Sequence, residues 1–381
     1  MSEKLDLNAI RNKIDSIDDE LIKLFEKRMQ TVNKVAEYKL KNNMQILNSK
    51  REREIVNRLS EKVAPELSVY SKILYNTIFD LSRSYQSKQI YKEGITSEKI
   101  KKALETTEKM LPSSAVVACQ GTEGSYSQRA CEKVFYNPSI MYFENFKGVF
   151  EAVKSGMCRY GVLPLENSVH GSVSEVIDLM KEYEFSIVKS TKIQINHALL
   201  AKPDATEIKE IYSHEQALGQ CDKYLSSLNN VKIIPCKNTA IAAKTVSGLD
   251  HSNAAAIASP LCAELYGLKI INDDIKNNDN NYTRFICISR NTEIYPGADK
   301  MSFIITLSHR PGTLYNMISK FAAEGINLTK IESRPIPGRD FEFMFYIEMS
   351  VSVYSENLAS FVSDIEQNSD SFKFLGCYTE N

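Results

Sequence analysis

From Ile10 to Leu40 the chain repeats apolar residues at three- and four-residue spacing (Ile10, Ile14, Ile17, Leu21, Leu24, Val32, Val35), with no glycine or proline between them. That spacing draws one apolar stripe along one helix face. At 1.5 Å per residue the helix is roughly 50 Å long. So long a helix cannot bury its stripe within a compact domain of about ninety residues, so the pattern predicts pairing with a second copy. A break follows at Lys41–Asn48. Ser49 and Glu52 then have the spacing of a capping box opening a second helix, which runs to about Lys62. After Pro65 a third helix is predicted from about Leu67 to Ser87. Residues 1–90 therefore form an all-helical unit, and residues 91–112 read as a polar connector ending at Pro112.

From there the grammar changes. Short apolar runs such as AVVACQ, YGVLPLEN, VKIIPC and TRFICIS alternate with helical patterns over residues 113–295. Strand–helix alternation predicts an α/β domain. We expect two lobes, with lobe 1 built from 113–191 and 268–295 and lobe 2 inserted at 192–267. The tail, 300–381, reads strand, helix, strand, strand, helix, strand, the βαββαβ order of a small α+β sandwich.

The bulk numbers remove several classes. Lys plus Arg is 47 against 48 for Asp plus Glu, a net charge of −1, which speaks against a general nucleic-acid or membrane-surface protein. No run approaches the ~20 apolar residues of a membrane span, and the polar start reads as no signal peptide. Eight cysteines are scattered without a CxxC, which reads as reduced thiols in a cytoplasmic protein. Five histidines show no metal-binding spacing, so no metal is expected.

Arg28 and Lys39 lie eleven residues apart, about 20° around a helix axis. Both fall on the apolar stripe. Two cations on an inward face are either snorkelling stems and ion pairs or a binding site for an anion. Arg51 opens the second helix, and Ser82 and Gln86, four apart on the third, give a neutral polar pair. With Arg11 and the NSKRERE segment, this pattern resembles the all-helical chorismate mutase domain. The resemblance implies an intertwined dimer. It implies that Arg28 and Arg11 of the partner subunit clamp two carboxylates, and that Lys39 and Gln86 hydrogen-bond the ether oxygen of the breaking C–O bond. It also implies that Asn48, Arg51, Glu52 and Ser82 hold carboxylate and hydroxyl groups. Such a pericyclic step uses no nucleophile, metal or cofactor; it needs a folded substrate and donors aimed at developing charge.

In the α/β region, polar clusters recur at strand ends: GSYS with Ser125 and Ser127, ENS with Glu166, Asn167 and Ser168, YSHEQALGQ with Ser213 and Gln220, and TRF with Thr283, Arg284 and Phe285. Ligands of α/β sheets bind at the carboxyl ends of strands, so these clusters predict a cleft between two lobes. GSYS, P-x-E-N-S and T-R-F together resemble prephenate dehydratase. The resemblance implies a two-lobed, periplasmic-binding-protein-like fold with Thr283 as principal catalytic residue, hydrogen-bonding the departing ring hydroxyl as CO2 leaves. Threonine is too weak an acid to donate a full proton unaided, so either aromatisation drives most of the step or another group supplies the proton, for which Glu166 is the candidate. The resemblance further implies that Ser125, Ser127, Asn167, Ser168, Ser213, Gln220 and Phe285 line the substrate site. Arg284 holds a carboxylate or closes a structural ion pair, and the residues leave both open. His170, His197 and His214 read as structural.

The tail carries RPGTLYN (310–316) and ESRP (332–335). With the βαββαβ order these resemble the ACT domain, a ferredoxin-like module that binds amino acids. The resemblance implies phenylalanine as feedback inhibitor, bound by Pro311, Gly312, Thr313, Leu314, Glu332, Ser333, Arg334 and Pro335 between two tails of a homodimer or homotetramer. A non-catalytic sensor with the same three parts is the main alternative, but a sensor has no need of Thr283.

Overall fold

The structure, a computed structural model, describes every residue except 1–5, 43, 45–47, 91–93, 279, 310, 337 and 339–341; the side chains of 49, 84 and 87–90 are also not described. Parts of the expected break at 41–48, Arg310 of RPGTLYN and residues 339–341 of the tail therefore lie outside the described residues.

The front is three helices, α1 (Leu7–Lys41), α2 (Ser49–Ser60) and α3 (Ser68–Ile90). Asp6 starts α1 by accepting from Asn8 N–H at 2.9 Å. Asn48, not Ser49, caps α2: its Oδ1 accepts from Arg51 N–H at 3.1 Å, so the capping-box reading is corrected. Residues 6–24 are exposed all round, including Ile14 at 51% and Leu21 at 56%. Only the second half of α1 packs, against α3, with Ala36 buried.

The expected connector is largely a helix, α4 (Ile95–Thr106), whose Ile100 and Ala103 are buried in the tail's core. Its charged residues face water, which is why the segment reads as polar, while Thr96 and Ser97 are buried with the apolar face.

Lobe 1 runs through β1 (Val116–Gln120), α5 (Tyr126–Val134), β2 (Ser139–Phe143), α6 (Phe146–Ser155), β3 (Tyr160–Asn167), the short β4 (Gly171–Ser172), α7 (Ser174–Glu182) and β5 (Ser186–Gln194). Lobe 2 follows with β6 (Ala198–Ala201), β7 (Glu210–Ser213), α8 (Glu215–Gly219), α9 (Asp222–Ser226), β8 (Lys232–Pro235), α10 (Thr239–Gly248), β9 (Ala254–Ala258), α11 (Leu261–Leu265) and β10 (Lys269–Asn272). The chain returns as β11 (Tyr282–Ser289), which enters the lobe 1 sheet between β3 and β5, antiparallel to both. The strand order is β2-β1-β3-β11-β5 in lobe 1 and β10-β6-β9-β7-β8 in lobe 2. Because β10 pairs with β6, lobe 2 extends to Asn272, past the expected return at 268.

The tail is β12 (Lys300–Thr306), α12 (Thr313–Ala323), β13 (Asn327–Pro335), β14 (Phe343–Ser350), α13 (Leu358–Gln367) and β15 (Ser371–Tyr378), in sheet order β13-β14-β12-β15. One sheet face buries Ile304, Met344, Tyr346, Leu375 and Tyr378 against Leu163, Leu165 and Val176 of lobe 1, forming one continuous core. The other face, with Phe303, Ile347 and Met349, packs on α12, α13 and α4. The chain end then runs along β5: Ser190 N–H donates to Thr379 C=O at 2.9 Å, and Asn381 N–H to Ser190 C=O at 3.1 Å. The lobe 1 sheet edge is thereby covered. α3 rests on α12 and α13, joining the front to the tail.

Gly376 makes this docking possible. Its φ is +137°, and a Cβ there would lie 2.2 Å from the Ile187 carbonyl oxygen. Gly376→Ala should cost about 2 kcal/mol or more of stability, because backbone on both sides must move. A urea midpoint unchanged from the parent would show that β15 does not sit against β5 this closely.

Candidate active site

A cavity of about 490 Å³ opens between the lobes, at the carboxyl ends of their strands. The pairing of β3 with β11 decides what faces it. Asn167 lies opposite Thr283, and Glu166 opposite Arg284. Side chains alternate along a strand, so each pair points to its own face. Asn167 and Thr283 line the cavity. Glu166 and Arg284 turn to the tail.

Asn167 is fully engaged. Its Oδ1 accepts from Val169 and His170 N–H at 2.9 and 3.0 Å. Its Nδ2 donates to Asn281 Oδ1 and Thr283 Oγ1, both at 2.9 Å. A hydroxyl has one proton; with Asn167 donating to its oxygen, Thr283 keeps that proton for another acceptor. Gln220 is held in a similar way: its Oε1 meets His197 Nε2 at 2.8 Å and accepts from Asn281 Nδ2 at 2.9 Å, leaving its amide N–H groups for the cavity. A chain of hydrogen bonds thus runs from His197 through Gln220, Asn281 and Asn167 to Thr283. Burial pushes His197 down to about 4, overriding the opposing Gln220 contact, so the ring is neutral near pH 7 and donates from Nε2. Its Nδ1 is buried and unpartnered.

Several sequence expectations are corrected. Arg284 holds no cavity carboxylate: it is 8% exposed and donates to Glu348 at 2.7 and 2.8 Å, to Glu380 at 3.3 Å and to Glu166 at 2.8 Å. Burial lowers the Arg284 pKa, but Glu348 outweighs it and the net direction is up. Glu166 also accepts from Lys330 at 2.8 Å and points away from the cavity, so it is not placed to deliver a proton there. Phe285 is core at 3% exposure. Ser213 is buried, donating to Ile257 C=O at 2.7 Å. Ser125 caps α5, accepting from Gln128 N–H at 3.3 Å, and Ser127 is buried on that helix. Ser168 joins two loops through Asn280 C=O and Tyr282 N–H, each at 3.0 Å. These polar groups complete the backbone at strand ends, which the same residue types also do.

The cavity also takes residues that sequence reasoning missed or set aside: His170, His197, His214, Gln120 and Lys237. Lys237 stands in CKNTA, another polar cluster after a strand and before a helix, so the signal was present. Nothing in the sequence marks the histidines as lining.

In the front, Arg28 donates to Ser82 Oγ and lies 5.5 Å over the Phe79 ring. Lys39 Nζ is 3.5 Å from Gln86 Oε1. Burial pushes both cations below their ordinary values. Glu52 accepts from Arg83 at 2.5 and 2.6 Å, and Arg83 also pairs with Asp80; Arg83 had not been singled out. Arg51 pairs with Glu54 on the surface at 3.3 Å, away from this group. Arg11, seventeen residues before Arg28, lies about 26 Å up the helix, outside the group within one chain.

In the tail, Gly312 has φ +85° at the start of α12, with Pro311 exposed before it. Thr313 and Leu314 line a small hollow of about 120 Å³ beside Phe343 and Phe345. β13 alternates: Arg334 pairs with Asp178 of α7 at 2.7 Å, and Glu332 lies 3.4 Å from Lys330, while exposed Ser333 and Pro335 alternate with them. Glu332 and Arg334 thus face lobe 1, apart from the hollow.

Fold and cavity define a protein of two α/β lobes with a small-molecule-sized cleft between them. Residues 117–293 match the prephenate dehydratase family model, and residues 10–87 match chorismate mutase type II. The bifunctional chorismate mutase/prephenate dehydratase of Aquifex aeolicus is 29% identical over 376 residues, 98% of each chain. Arogenate dehydratase/prephenate dehydratase 1 of Arabidopsis thaliana is 36% identical over 283 residues, 69% of this chain and 71% of that one. Among solved structures, prephenate dehydratase from Arthrobacter aurescens in complex with L-Phe is 29% identical, with TM-score 0.63 over 69% of this chain and 89% of that one. GqqA, described as a quorum-quenching acylase, is 26% identical, with TM-score 0.64 over 70% and 98%. The chain belongs to the prephenate dehydratase family and, with a type II chorismate mutase domain ahead of it, is an enzyme of both activities. No helix among the described residues is long and apolar enough to cross a membrane.

The neutral state of His197 has a pH signature. Its folded value of about 4 lies below the ordinary 6.5. Between those values the unfolded chain binds a proton that the folded chain does not, so stability falls as pH drops from about 6.5 to 4, by on the order of 3 kcal/mol. His197→Gln should flatten that part of the profile, read as urea midpoints at pH 7.5, 5.5 and 4.5. A variant tracking the parent at all three would show that the ring is not held neutral.

Proposed function

We propose that the front domain rearranges chorismate to prephenate and the cleft converts prephenate to phenylpyruvate. In the first step Arg28, with Arg11 of the partner subunit, holds the substrate's carboxylates. Lys39 and Gln86 stabilise charge developing on the ether oxygen, and Glu52 acts through Arg83 to fix the site's shape. The exposed stripe of α1 supports this reading, since a second copy laid along it would bury that stripe and bring Arg11 to the other site. The assembly is then at least a homodimer, working in the cytoplasm.

In the second step one proton enters, and CO2, water and phenylpyruvate leave. The ring C–CO2 bond breaks, its electron pair moves into the ring as it becomes aromatic, and the C–O bond to the hydroxyl breaks at the far carbon. The observation that carries this reading is the Asn167 bond to Thr283 Oγ1, which leaves the Thr283 proton for the departing hydroxyl. Thr283 lowers the barrier by hydrogen-bonding a leaving group that gains negative charge. Asn167 positions Thr283, and Gln220 offers its amide to the substrate.

The tail is an ACT domain, and phenylalanine is its effector. The L-Phe in the Arthrobacter structure and the helix start at Gly312 support this, a helix N-terminus being suited to a carboxylate. Strand β13 supplies a link, since Lys330 reaches the Glu166 side chain that pairs with Arg284.

The test is chorismate loss and phenylpyruvate formation, followed separately in full-length protein. Lys39→Ala should lower the mutase rate by roughly 10²–10³-fold and spare the dehydratase; Thr283→Ala should do the reverse. Loss of both activities from either change would overturn the two-site reading. L-phenylalanine should suppress the second step in the parent, and its failure to do so would remove the tail from regulation.

A further inference from the structure

Prephenate carries two carboxylates, so a cleft that binds it must meet two negative charges. Arg284, one candidate partner, is already shared among Glu348, Glu380 and Glu166. Among the described residues lining the cavity there is no Asp or Glu, and Lys237 is the one Lys or Arg. It lies on lobe 2, across from Thr283 on lobe 1. It is exposed, and no carboxylate pairs with it among the described residues. Directly after it Asn238 caps α10, accepting from Ile241 N–H at 2.7 Å, and Thr239 at the helix start also lines the cavity. A cation beside the first turn of a ten-residue helix concentrates positive potential at one wall.

The two carboxylates are not equivalent. The ring carboxylate loses its charge as it departs as CO2, so a cation bound to it would stabilise the ground state more than the transition state. The side-chain carboxylate persists in the product, so a cation there binds both states and adds affinity without slowing the step. We propose that Lys237 is a specificity-determining residue that holds the side-chain carboxylate of prephenate. This leaves the ring carboxylate to the rest of the cavity, where Phe146, Pro164 and Ile195 form part of the wall. The inference rests on the dehydratase reading above.

The experiment uses full-length Lys237→Met and Lys237→Arg. The mutase rate of the same molecules reports folding. Lys237→Met should raise KM for prephenate about ten-fold or more, the scale of a hydrogen bond to a charged group, with kcat changed by less than about three-fold. Phenylpyruvate keeps the side-chain carboxylate and lacks the ring one. Its inhibition constant against prephenate should therefore rise by the same factor, and Lys237→Arg should restore most of both. A raised KM with an unchanged phenylpyruvate constant would place the cation on the ring carboxylate and overturn the assignment. An unchanged KM would remove Lys237 from the site. A parent protein that does not turn over prephenate would instead overturn the dehydratase reading and this inference with it.

Discussion

A guanidinium buried away from water is tolerable only when charged partners replace its hydration. Arg284 has three, each from a different part of the chain: Glu166 on β3, Glu348 on β14 and Glu380 at the chain end. Lys300 and Lys192 in turn balance Glu380, at 3.1 and 2.8 Å. This network joins the return strand of lobe 1, the tail sheet and the C-terminus into one charge-balanced contact. Removing one partner would leave a buried charge exposed to the others, so the docking of the tail is cooperative. The orientation of the cleft follows from it. With Arg284 fixed toward the tail, strand alternation commits Thr283 to the cavity, and Asn167 follows because it pairs with Thr283.

What was legible in the sequence follows the same physics. Long periodicities were readable: the α1 stripe, the strand–helix alternation and the βαββαβ order of the tail all appear as expected elements. Thr283, Asn167 and Gln220 line the cavity, in keeping with the expectation that polar groups at strand ends converge in α/β folds. What the sequence could not show was the face. Glu166 and Asn167 are neighbours with similar credentials, yet one meets the tail and the other the cleft. Nor could it show which strand-end hydroxyls serve the backbone, as Ser125, Ser168 and Ser213 do. The segment 91–112 misled for a related reason. Only a few of its apolar residues are buried, and the surface they cover belongs to the tail, some 200 residues further along the chain.

The front domain is tied to the tail by charge as well as by packing. Lys320 of α12 pairs with Asp364 of α13 at 2.6 Å, in a hollow shared with Asp80 of α3. Burial raises the Asp80 carboxyl, against the pull of Arg83 and, more weakly, Lys320; burial also lowers Lys320. Arg83, which pairs with Asp80, also holds Glu52 of the front site. Glu52, Arg83 and Asp80 of the front helices and Lys320 and Asp364 of the tail helices therefore share one electrostatic neighbourhood.

The two ends of this arrangement meet on strand β13. Its residues alternate between the sheet face that packs on lobe 1 and the opposite side. Lys330, Glu332 and Arg334 share the first, bonding Glu166, Ser172 and Asp178 directly or through one another. Ser333 and Pro335 are exposed between them. A strand is stiff along its length and cannot rotate one face without the other. An effector that repositions the outer residues must therefore strain or relax the ion pairs on the inner face. One of those pairs, Lys330 with Glu166, leads on to Arg284, the residue next to Thr283. The acid, hydroxyl, cation and proline of ESRP thus occupy alternating faces, two side chains to each, of a strand that spans from a candidate effector surface to the back of the strand that carries Thr283.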